Sequence, residues 1–116
     1  MFAKLITSVL ALALISGTAL AQANSKPTDP QIAHIAYTAG QLDIEAAHQA
    51  LSKTKNKAVR SFADDMVRDH QAVNKQALDL VKKLGVTPED NDTSRALTKQ
   101  AAAKHAELAT LKGPAF

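Results

Sequence analysis

The sequence predicts an all-α protein, a bundle of three helices behind an N-terminal leader. Three observations predict it. Two long segments repeat their apolar residues with the helical period. Helix starts and stops, Asp29-Pro30 and Gly85, stand where those segments begin and end. No stretch shows the period-two alternation of a strand.

The chain has 116 residues, 46% of them hydrophobic and 22% charged, which bounds it to one globular domain. The absence of cysteine excludes a disulfide scaffold, a thiol nucleophile and a Cys-ligated zinc site. The charge is mild: 14 Lys and Arg, Lys4 among them, against 11 Asp and Glu. The basic residues are spread along the chain, whereas nucleic-acid binding calls for a basic patch. Lone Tyr37 and the scattered Phe residues offer no stacking platform for bases. Nucleic acid is therefore not an expected partner.

The first element is a leader. Met1 to Lys4 is short and basic, Leu5 to Ile15 is mostly apolar, and Ala19-Leu20-Ala21 and Ala21-Gln22-Ala23 are small-x-small sites. That order predicts a secretory signal over residues 1–23, with a mature start at Gln22 or Asn24. The apolar run is too short for a membrane span, which needs ~20 residues, and no second run follows. The expected compartment is a bacterial periplasm or the exterior, with no transmembrane segment after cleavage. Residues 24–29 form a polar lead-in to a domain over 30–116.

Asp29 is placed to cap the first helix, with Pro30 at its first position, and the helix is expected from about Pro30 to Thr54. Its broad apolar arc holds Ile32, Ile35, Ala39, Leu42, Ile44, Ala47 and Leu51, and its polar arc His34, Gln41, Glu45 and His48. The second helix is expected from about Lys57 to Leu84. Its apolar side holds Val59, Phe62, Ala63, Met66, Val73, Ala77, Leu80 and Leu84. Lys82 and Lys83 suit the negative end of the helix dipole, and Gly85 is the residue that ends it. Asp92, Thr93 or Ser94 is expected to cap a third helix ending near Lys112, whose stripe of Leu97, Ala101, Leu108 and Leu111 is thin. The first two make an antiparallel hairpin, and the third is expected to cover part of its open face.

Two residues break the pattern. Asp43 and His70 sit near the middle of the apolar arcs of the first and second helices. Asp43 lies 13 residues before Asn56 and His70 14 after it, which places them at one height in the hairpin. An unpaired buried carboxylate costs several kcal/mol. The two are therefore either a satisfied pair or two ligands of a metal, since bundle metal sites take carboxylates and imidazoles from facing helices. Asp69 and Asn74 flank the same arc and could add oxygen atoms. Glu45-Ala46-Ala47-His48 has the Glu-x-x-His spacing of di-iron bundles, but falls on the polar arc. His34 and His105 are expected to be solvated. No Gly-rich phosphate loop and no nucleophile elbow occurs.

The segments Ala39-Gly40-Gln41-Leu42-Asp43-Ile44-Glu45, Phe62 to Asn74 and Leu84-Gly85-Val86 resemble a bacterial family of secreted proteins, domain-of-unknown-function family 4142. Met66-Val67-x-Asp69-His70-x-x-x-Asn74 is the most specific piece. The resemblance covers Ile35 to Phe116. It implies a ferritin-like helical bundle in proteins often labelled as outer membrane proteins. Glu45 and Asp69-His70 match the family, whereas Asp43 stands where the family usually has Glu. Members continue beyond a segment like Leu111 to Phe116 into further helices. The resemblance thus implies a bundle whose last element is missing, in a fragment or in a chain completed by a second copy.

Two functions follow from these residues. The first is a non-enzymatic periplasmic or envelope-associated protein that binds a partner, the envelope or its own copy. The second is a ferritin-like metal-binding or redox protein, with a divalent metal ion or iron held by Asp43 and His70, then Asp69 and Glu45. The balance lies with the non-enzymatic protein. A membrane-surface helix is disfavoured, because the mature charge is small and the apolar faces serve each other better.

Overall fold

The computed structural model describes residues 25–116, so the leader and its cleavage sites lie outside the described residues. The described chain is three α-helices: α1 Asp29–Lys53, α2 Lys57–Lys83 and α3 Asp92–Ala109, then a short 3-10 turn at Gly113–Ala115. There is no strand among the described residues. The helix positions match the apolar periods, but two caps differ from expectation.

Thr28, not Asp29, caps α1. Its hydroxyl accepts from the Gln31 backbone N–H while the Gln31 side-chain oxygen accepts from the Thr28 N–H at 3.1 Å. This reciprocal box needs Gln or Glu three residues after the cap, which Thr28 has. Asp29 falls in the first turn, where its charge suits the dipole. Asn91, not one of the three residues after it, caps α3, its side-chain oxygen accepting from Ser94 N–H at 3.0 Å. Asn56 caps α2 in the same way. Gly85 ends α2 at φ +67°, and Val86 N–H donates to the Val81 carbonyl across that turn. α3 ends at Ala109, short of Lys112, with the Lys53 ammonium on the Ala109 carbonyl.

α1 and α2 are antiparallel and make the main interface. Gly40, Ile44 and Ala47 of α1 are buried, as are Ala63 and Asn74 of α2. Gly40 leaves room for the Asn74 side chain of α2. A Cβ there would lie 2.2 Å from the Asn74 side-chain oxygen.

α3 packs on α1 and does not cover the open side of the hairpin as expected. It runs parallel to α1, tied by His34 to Ser94 at 2.8 Å and by the Gln49 side-chain N–H to the His105 carbonyl at 2.9 Å. At ~100° per residue these positions lie roughly opposite the face that α1 turns to α2. The polar arc of α1 is therefore an interface, held by hydrogen bonds beside the thin stripe of α3, whose Leu97, Ala101 and Leu108 are half-buried. His34 is half-buried in it, contrary to its expected solvation, because Ser94 is 1% exposed and needs a partner.

The side of α1 between α2 and α3 stays open. Ile32, Ala36, Asp43 and Ala46 are exposed along it. Ile44 of the same apolar arc is buried. On α2, by contrast, Phe62, Val73, Leu80 and Leu84 are all more than half exposed. No helix among the described residues is long and apolar enough to cross a membrane.

Candidate functional site

The two segments that break the apolar pattern meet across the α1–α2 interface. Asn74 seats its amide in the space Gly40 leaves open and donates to the Gln41 side-chain oxygen at 3.1 Å. One turn away, His70 Nε2 stands 3.1 Å from an Asp43 carboxylate oxygen. The shared height follows from equal spacing about Asn56, where the tight connection turns the chain. The two side chains are brought together as expected, but not sealed in. The Asp43 side chain is 52% exposed and that of His70 30%, because the neighbouring side of α1 is uncovered.

The other ring nitrogen determines the chemistry of the pair. His70 Nδ1 lies 3.0 Å from the Met66 carbonyl one turn back. A carbonyl only accepts, so Nδ1 carries a proton and donates it. A neutral ring then turns the lone pair of Nε2 toward the Asp43 carboxylate. Two acceptors at this distance need a positive species between them: a proton, making the ring imidazolium, or a metal cation. Donation of the second ring N–H to a backbone carbonyl is also the usual orientation of a metal-bound histidine.

The remaining candidates stand elsewhere. Asp69 turns to the Arg68 guanidinium at 3.0 Å on the exposed side of α2, and Asp65 holds the same Arg68 at 2.8 Å. Those contacts raise the Arg68 pKa, with the Asp69 hydrogen bond first. Glu45 and His48 are exposed on α1 and border a shallow depression with Gln49, Ser52, Lys53 and His105. No third carboxylate or imidazole joins Asp43 and His70 among the described residues. Asp43 also borders an open groove between α1 and α3, lined by Leu42, Ala46, Ala101, His105 and Leu108. The His34–Ser94 and Gln49–His105 ties are invisible in sequence, since nothing marks them as partners until α3 is placed.

Fold and pair together define a small all-α helical-bundle domain with a partly open carboxylate–imidazole contact between its first two helices. The chain belongs to the family described as Domain of unknown function (DUF4142), whose model matches residues 16–116. No curated protein and no solved structure matches the chain.

Proposed function

We propose that this is an exported, non-enzymatic protein of the bacterial periplasm or envelope that works by docking through the uncovered stripe of α2. The observation that carries this reading is that stripe: Phe62, Val73, Leu80 and Leu84 stand more than half exposed on one side of a single helix. Scattered exposed apolar residues need no explanation, but several aligned on one side of a helix mark an interaction site. The leader-like first 23 residues support export. The test is a Phe62→Glu, Leu80→Glu double variant, expressed with its own N-terminus. It reaches the periplasmic fraction without the leader and, at concentrations where the native chain is monomeric, keeps native helix content and melting temperature while losing the hydrophobic-dye binding of the native chain. Collapse of the fold would show that the stripe belongs to the chain's own core and overturn the reading.

A second reading is favoured by the His70 tautomer. Asp43 and His70 fit a divalent cation or iron, with His70 Nε2 and a carboxylate oxygen as donors and the Met66 carbonyl orienting the ring. Added zinc then raises the melting temperature, because binding the folded state alone stabilises it. The gain is lost in both Asp43→Ala and His70→Ala. No response to metal in the native protein assigns the positive species to a proton.

A further inference from the structure

We propose that the occupant of the α2 stripe is a second copy of this chain, seated antiparallel about a two-fold axis at Val73. The proposal rests on the docking reading above and deepens it.

The stripe is self-complementary. Phe62 lies 11 residues before Val73 and Leu84 11 after it; Met66 lies seven before and Leu80 seven after. In an antiparallel pair of helices, residues equidistant from the axis stand at one height. Phe62 of one protomer then meets Leu84 of its partner, Met66 meets Leu80, and Val73 meets Val73. The large exposed side chains, at 65% for Phe62, 61% for Val73, 56% for Leu80 and 67% for Leu84, thereby cover each other. A parallel pairing would stack each residue on itself and gain none of this matching.

The polar positions fit the same register. The stripe is interrupted at Asp69, four residues before Val73, and at Gln76, three after it. The antiparallel register sets that carboxylate opposite an amide able to donate to it, whereas a parallel one sets Asp69 against Asp69. On the rim, Asp65 lies eight residues before Val73 and Lys83 ten after, on the same edge of the helix. Two symmetry-related Asp65–Lys83 contacts therefore close the long edge. The two-fold arrangement is the commonest way for one patch to serve both partners.

The test uses the native full chain and single-cysteine variants, which label cleanly because the sequence holds no cysteine. Sedimentation of the native protein gives a concentration-dependent monomer–dimer equilibrium. Spin labels at Val73→Cys report an inter-protomer distance below ~20 Å, and labels at Phe62→Cys one near ~33 Å, the axial rise of the 22 residues from Phe62 to Leu84. Asp65→Lys weakens dimerisation at least tenfold, and adding Lys83→Asp restores it. A monomer at every concentration, or short distances at both labels, overturns the proposal. If Leu80→Glu also lowers the monomer's melting temperature strongly, the docking reading falls with it. If Leu80→Glu leaves the monomer's melting temperature unchanged and the native chain itself never pairs, only the second copy is excluded.

Discussion

Gly40 shows how one missing methyl group positions the hairpin. Glycine within a helix costs about 1 kcal/mol relative to alanine, so its presence at the centre of α1 must be offset by packing. The offset is the buried Asn74 amide, 2.2 Å from where a Cβ would stand and held by Gln41. Gly40→Ala should therefore destabilise the protein by ~1–3 kcal/mol, since the amide must leave its seat and the overpacked site must shift. In an Asn74→Ala background the same change should become stabilising by ~0.5–1 kcal/mol, because only the propensity difference remains. Urea unfolding of the four proteins checks the reversal of sign. His70 behaves differently. With Asp43 half exposed, water takes over the orphaned carboxylate, and His70→Ala should cost ~1 kcal/mol or less. The several kcal/mol that a sealed pair would lose are not expected.

At the scale of elements, the helices are legible in the sequence and their starts are less so. Apolar periods and Gly85 locate all three segments, since period and αL stop are local properties of the chain. The caps depend on which of several adjacent polar side chains reaches back. Thr28 outcompetes Asp29 because Gln31 completes a reciprocal pair, and Asn91 outcompetes Asp92 because its oxygen lies in line with Ser94 N–H. Asp43 and His70 are legible for the same reason as the helices, as polar residues on apolar arcs at equal distance from a turn. Their exposure is not, because it depends on where α3 lies, and α3 is held by the His34–Ser94 bond and two backbone carbonyls. Asn91→Ala should cost ~1 kcal/mol, read as faster amide exchange through the first turn of α3. The start of α3 also carries a pH-sensitive tie. The Arg95 hydrogen bond to Asp90 holds that carboxyl below the usual carboxylate range. A depressed carboxylate contributes stability above the ordinary carboxylate range and loses it as pH falls through its own lowered value. Arg95→Gln should raise the Asp90 titration midpoint toward the ordinary value, as carboxyl carbon NMR would show.

For the molecule as a whole, the apolar core is small. Ile44, Ala47 and Ala63 are the buried hydrophobic residues among those described, while the larger Phe62, Val73, Leu80 and Leu84 remain on the surface. Small domains hide a lower share of their unfolded surface than large ones and are correspondingly marginal. The melting temperature should therefore rise with protein concentration, since association shifts unfolding by mass action. Calorimetry of the native chain and of Leu80→Glu across concentrations checks this. The native protein should shift and the variant should not.

The placement of α1 between its two neighbours has a consequence for the order in which the molecule comes apart. α2 and α3 each rest on α1, on different sides of it, and each interface can open while the other holds. α1 has no such freedom, because releasing it dissolves both. The chain is thus wired like a hinge pin carrying two leaves, and α1 amides should exchange with solvent only through global unfolding. α3 amides, behind a mostly polar seam, should exchange through a cheaper local opening. A ligand that grips α1 alone would hold both leaves at once, whereas one that grips α2 or α3 would leave the other leaf free to swing.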